Sequence, residues 1–305
     1  MTEKRSKQEI IIWDRQNKKD VTEKVYGDRF ISALYNTKLG RLITDKALSG
    51  KKLSQIYGRY QSSRISRRKI DAFIEQFQVV KSDFETSSHK SFNDFFIRKF
   101  KKGKRPFIKD KNKMGAFAEG RYLAFEHISP EQTFPVKGVW LHADDLIGDK
   151  NKAKDFIGGP LLIARLCPVD YHRFHYPDAG ETLESFRVKG LLHSVNPIAL
   201  KQRSKIFITN ERHVSILETK HFGKLAYIEV GALCVGKIVQ THKESEPFSK
   251  GDEKGYFLFG GSTVILIGQA GRWNLDEDLL LKTRQNQETL VRLGEPIATM
   301  NLPLP

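Results

Sequence analysis

Between residues 30 and 48 apolar side chains fall at Phe30, Ile31, Leu34, Tyr35, Leu39, Leu42, Ile43, Ala47 and Leu48. This is the three-to-four spacing of a helix with one apolar face, and Arg29, Lys38, Arg41 and Lys46 stand on or beside the other face. Residues 22–48 are therefore expected to be helical. A second stretch, 66–78, repeats the pattern with Ile70, Phe73, Ile74 and Phe77. After about residue 106 the texture changes. Runs such as "GPLLIARL", "SKIFITN", "LAYIEVGALCVGKIV" and "YFLFGGSTVILI" follow one another, separated by Gly, Pro, Asn and Asp. Short strands with no long helical pattern between them predict an antiparallel β-rich domain. The expected fold is α+β: a helical region over 1–105, then a β-rich domain over 106–305, with the polybasic "KKGKRP" (101–106) at the boundary.

Charge sharpens this division. The net charge is +16, and residues 1–105 hold 26 Lys and Arg against 12 Asp and Glu, so the remainder is near neutral. A basic amphipathic region on a neutral body suits an anionic partner, either acidic lipid or nucleic acid. Packing of the helices on a core is the plainer alternative. An arginine-rich pattern with interleaved stacking aromatics is missing, which argues against nucleic acid. No apolar run reaches the roughly 18 residues of a spanning helix, and the first twenty residues have no signal-peptide core. Cys167 and Cys234 match no framework or CxxC spacing, so both are expected as packed thiols in a reducing compartment.

Three places concentrate reactive side chains. "CPVDYHRFHYPDAG" (167–180) holds Asp170, His172, Arg173, His175 and Asp178. Two imidazoles around an arginine suit a site that handles protons or an anion. A tetrahedral metal set would need further ligands that the chain does not offer at suitable spacing. "GAFAEGRY" (115–122) places Glu119 in a turn, and "FGGST" puts Ser262 directly after Gly260 and Gly261. Carboxylate, imidazole and serine are the parts of an activated nucleophile. A hydrolase elbow would read GxSxG before a helix, whereas Ser262 is followed by the strand-like "TVILI". Self-cleavage uses the same parts better. Deprotonated by a histidine, the Ser262 hydroxyl attacks the Gly261 carbonyl carbon and turns the amide into an ester. Elimination releases the upstream chain and leaves a dehydroalanine, which takes up water and loses ammonia to become a pyruvoyl group. That carbonyl is an electron sink able to form a Schiff base with a substrate amine.

These blocks resemble the phosphatidylserine decarboxylase family. "SFNDFFIRKFKKGKRP", "FPVKGVWL", "IARLCPVDYHRFHYPDAG", "SVNPIAL", "YIEVGALCVGKI", "FGGSTVILI" and the tail "DLLLKTRQNQETLVRLGEPIA" occur in the family's order along most of the chain. The resemblance implies a peripheral membrane enzyme at the cytoplasmic face of the cell membrane, converting phosphatidylserine to phosphatidylethanolamine. It implies cleavage between Gly261 and Ser262, a pyruvoyl cofactor made from Ser262, and a C-terminal fragment 262–305 that stays as partner. His175 matches the family's charge-relay histidine, and His172 a histidine that assists decarboxylation. The family has Asp before Gly where this chain has "FAEG", so Glu119 becomes the third relay member. The extra methylene leaves open a family member that does not mature and binds lipid instead. Neither a metal ion nor nucleic acid is implied.

Overall fold

The computed structural model describes residues 9–23, 51–85, 88–128, 142–195, 199, 205–232, 237–260 and 262–301. Most of the helix expected over 22–48 lies outside these residues, as do Gly261 and Cys234.

The body is a nine-stranded sheet. In spatial order, with strands numbered along the chain, it runs β2 (Lys19–Thr22), β1 (Ile11–Asp14), β14 (Thr289–Val291), β4 (Gly120–Phe125), β5 (Leu161–Leu166), β12 (Ser262–Gly268), β9 (Gly223–Val230), β8 (Arg212–Thr219) and β7 (Gly180–Val188). Every pairing in it is antiparallel except β1 with β14. The centre follows from composition. "LLIARL" and "STVILIG" are near-continuous apolar runs rather than alternating ones, as suits strands covered on both faces. All seven residues of β12 are buried between β5 and β9. Two three-stranded sheets complete the β structure of the described residues. One is β10 (Ile238–Gln240), β11 (Glu253–Phe257) and β6 (Arg173–His175), and the other is β13 (Trp273–Leu275), β15 (Pro296–Met300) and β3 (Lys113–Gly115).

The chain is thus mixed α+β and mostly sheet, with a few helices. Among the described residues before 105 the α-helices are α1 (Lys51–Gln61), α2 (Ile70–Phe77) and the short α3 (Phe92–Phe96). A 3-10 turn, Arg64–Lys69, replaces the first part of the helix expected over 66–78. The apolar face of α2 turns inward: Ile70 and Phe73 pack with Phe92, Phe95, Phe96 and Phe259 in a second core cluster. Among the described residues no helix is long and apolar enough to cross a membrane. The hairpin β1–β2 joins the sheet through β14, although the sequence pattern marks no strand so early. Four-residue strands are too short for a period to register.

Candidate active site

Ser262 opens β12 and is fully buried. Its backbone pairs with Leu166, and the next residue, Thr263, lies opposite Arg165. Gly260 has a φ of 147°, a conformation that side chains rarely allow, so a glycine is needed there to bring the chain from Phe259 into the strand.

The loop after β5 delivers the imidazole that faces this serine. His172 is fully buried, with Nδ1 3.4 Å from Ser262 Oγ. Its ring stacks on Phe96 with centroids 3.7 Å apart. Its Nε2 is buried with no hydrogen-bond partner among the described residues. Burial holds its pKa well below the ordinary range, and the nearby Arg98 charge pushes the same way. His172 is therefore a neutral imidazole.

His175 stands on β6, away from this contact. Its Nδ1 is 2.9 Å from the Gly251 carbonyl and its Nε2 is 3.4 Å from the Tyr171 hydroxyl. Burial lowers its pKa too, and the Arg173 charge pushes the same way, while the Gly251 carbonyl and the Glu253 and Asp252 charges act in the opposite direction. Its backbone N–H donates to the Phe117 carbonyl at 2.8 Å, which lays it beside the segment that carries Glu119. The Glu119 carboxylate itself turns to Arg105, accepting from Nε at 2.6 Å and from Nη2 at 3.1 Å, and also accepts from the Leu293 N–H at 3.2 Å. The structure thus joins Ser262 to His172, sets His175 next to the Glu119 segment, and gives the carboxylate to an arginine of the polybasic "KKGKRP".

The loop that presents His172 rests on a buried ionic network. Arg165 donates to Glu23 at 2.7 Å and to Glu288 at 2.5 Å, while Arg121 pairs with Asp170 and lies 3.5 Å from Glu23. Cys167 donates its N–H to Asp170 at 2.6 Å and its thiol bonds Glu23. Burial would raise the Glu23 pKa, but the Arg165 and Arg121 charges outweigh it and hold the carboxyl far down. Burial raises the Cys167 thiol, so it is protonated and inert.

Helix α3 forms the wall opposite. Ser91 caps it, accepting from the Asp94 N–H at 3.1 Å. Asn93 Oδ1 accepts from the Phe259 N–H at 2.7 Å, and so holds the residue just before Gly260. Asn93, Phe96, Arg105 and Tyr171 took no role in the sequence reading. Their only signal was their place inside the "SFNDFFIRKFKKGKRP" and "DYHRFH" blocks.

Comparison with known proteins places the chain in a family. The sequence model of the family described as phosphatidylserine decarboxylase matches residues 92–299. The chain is 41% identical over 292 residues to the phosphatidylserine decarboxylase proenzyme of Clostridium novyi (strain NT), which covers 95% of this chain and 99% of that one. The proenzyme of Ruminiclostridium cellulolyticum is 40% identical over 94% of this chain and 97% of its own length. That of Clostridium perfringens is 39% identical over 94% and 99%. The chain belongs to the phosphatidylserine decarboxylase family.

Proposed function

We propose that this chain is a proenzyme that cleaves itself between Gly261 and Ser262 and then decarboxylates phosphatidylserine to phosphatidylethanolamine. The observation that carries the proposal is the buried Ser262 hydroxyl against a neutral imidazole, at the mouth of the central strand. The surroundings of residue 262 fit a pyruvoyl group. They are buried, and His172 Nε2 is an unpartnered polar atom in their wall among the described residues. Once formed, that group supplies a carbonyl that draws electrons from the bond to the substrate carboxylate.

The two imidazoles divide the proton work according to their surroundings. A relay base must carry positive charge while the serine loses its proton, and a carboxylate normally steadies it. His172 has no such partner and faces the Arg98 charge, so an imidazolium is costly there. His175 lies next to the Glu119 segment and within the fields of Glu253 and Asp252, which favour the charged ring. We therefore assign the relay to Glu119 and His175, and to His172 the proton transfer at the substrate carbon beside residue 262. Because His175 does not touch Ser262 in the continuous chain, the relay needs a shift of one of the two. The Ser262–His172 contact favours a second reading, in which His172 itself takes the serine proton.

The C-terminal fragment 262–305 would stay bound after cleavage, since β12 is hydrogen-bonded on both sides within the core. The two-unit division at 105/106 is retained in functional terms. Around α1 and the turn after it, Ile56, Tyr60 and Ile65 are exposed beside Arg59, Arg64, Arg67 and Arg68. Apolar tips among cations suit the negatively charged cytoplasmic leaflet of a membrane. The test is intact mass and carbon dioxide release. Wild type should yield a fragment ending at Gly261, a 262–305 fragment with a blocked terminus, and activity on phosphatidylserine. A wild-type chain that stays whole and inactive would instead support the lipid-binding, non-maturing alternative.

A further inference from the structure

On the far side of α3 from His172 lies a cavity of about 260 Å³. Ile70, Ile74, Val79, Phe84 and Phe95 form apolar walls, and Arg67, Lys81, His89 and Arg98 bring cationic groups, with Asp71 and Glu85 as the acidic ones. Arg98 is the unusual member. It is buried, its guanidinium sits 4.5 Å from the Phe84 ring centroid and 4.9 Å from that of Phe95, and its Nη2 donates to the Val169 and Asp170 carbonyls at 2.8 and 3.0 Å. Its Nε and Nη1 are buried with no hydrogen-bond partner among the described residues. Unmet donors on a buried cation are costly unless a ligand meets them.

We propose that this cavity is a second lipid site that binds the phosphate of an anionic phospholipid on Arg98, separate from the site around Ser262. Nε and Nη1 are closed to solvent as they stand, so the guanidinium must turn from between Phe84 and Phe95 toward the cavity. A phosphate oxygen then offers strong acceptors for both donors, and Arg67 at the exposed rim adds a second cation. The apolar walls explain why a lipid, rather than free phosphate, is the occupant: the first carbons of its glycerol and acyl groups have Ile70, Ile74 and Val79 to lie on. Helix α3 partitions the two sites, with Phe95 lining the cavity and Phe96 covering His172. Arg98 also holds the carbonyls of the loop that presents His172. An anion here therefore buttresses that loop without entering it.

Binding can be measured apart from any decarboxylase activity, on the full-length Ser262→Ala chain, by broadening of the probe's phosphorus NMR signal. The probes are inorganic phosphate and dihexanoyl phosphatidylglycerol below its micelle concentration, with phosphate-free dihexanoylglycerol as competitor. The lipid should bind at least about tenfold more tightly than inorganic phosphate, and dihexanoylglycerol should not displace it. A folded Arg98→Met chain should lose at least about tenfold in affinity. Sharp signals at millimolar probe, or undiminished broadening in Arg98→Met, would overturn the site. Should Arg98→Met fail to fold, Arg67→Ala decides: weaker binding supports the site and unchanged binding overturns it. Equal affinity for inorganic phosphate and lipid would overturn the lipid as occupant. Self-cleavage and carbon dioxide release by wild type test the decarboxylase reading on their own.

Discussion

A neutral histidine packed on a phenylalanine makes specific demands. Ser262→Ala should leave one full-length chain without decarboxylase activity, because the nucleophile and the cofactor's precursor belong to the same residue. By the charge argument His175→Ala blocks cleavage, while His172→Ala still cleaves but loses turnover; gel mobility and carbon dioxide release separate the two. The opposite pattern would give the relay to His172. Glu119→Gln should slow maturation by about 100-fold or more, since an amide cannot steady an imidazolium. Glu119→Asp should mature at least as fast as wild type. If Glu119 serves only Arg105, the Gln variant would mature normally and merely melt earlier. The pH dependence has a definite sign. His172 and His175 titrate below their ordinary value of 6.5 in the folded chain, so below that pH the unfolded chain binds more protons. Their contribution to stability is complete above about pH 6.5 and is lost as pH falls toward the folded values. Thermal melting of the Ser262→Ala chain should therefore decline below about pH 6.5, and less steeply once His175 is replaced by Gln.

Helix α3 has only five residues, so side-chain bonds rather than its own ladder hold it in place. The Phe92 N–H donates to Ser66 Oγ at 2.9 Å, Asn93 Nδ2 donates to Ser62 at 2.9 Å, and the Asn93 oxygen receives the Phe259 N–H. Replacing Asn93 with Leu leaves that buried N–H without its acceptor. The expected cost is about 1–3 kcal/mol of stability. Because Phe259 leads into Gly260, self-cleavage should also slow, as a time course after synthesis would reveal. Ser91→Ala removes only the cap and should cost about 1 kcal/mol, with little effect on cleavage.

Across the whole molecule, the N-terminal hairpin is tied to the site. Glu23 reaches from the β1–β2 hairpin to Arg165 and lies near Arg121, both next to the His172 loop. Glu23→Ala would leave the buried Arg165 and Arg121 with one carboxylate each, Glu288 and Asp170, and denaturant unfolding should register a loss of about 3 kcal/mol. Vesicle binding should need anionic lipid and weaken with salt, because screening shortens the reach of the basic surface to about 10 Å at 0.1 M. Exchanging the exposed Ile56 and Ile65 for Ser should weaken binding about tenfold or more while self-cleavage proceeds unchanged. Equal binding to neutral vesicles at high salt would contradict the electrostatic part.

Much was legible from one dimension, because some requirements are local. The apolar runs of β5, β9 and β12 announce buried strands through composition alone. The glycine pair before Ser262 announces a backbone that must be approached closely, and the "DYHRFH" and "FGGST" blocks carry the family. The short hairpin over 11–22 escaped because two four-residue strands acquire their meaning only by pairing with β14, more than 260 residues away. For the same reason periodicity could not say where the apolar face of 66–78 would turn. Phe92, Phe95 and Phe96 had first to arrive and bury it. The partners of the site were least legible of all. His172 reaches Ser262, Glu119 reaches Arg105 and Glu23 reaches Arg165 across separations that no spacing rule encodes. Residue types determined which chemistry was available, and packing decided which side chain each charge and each proton would meet.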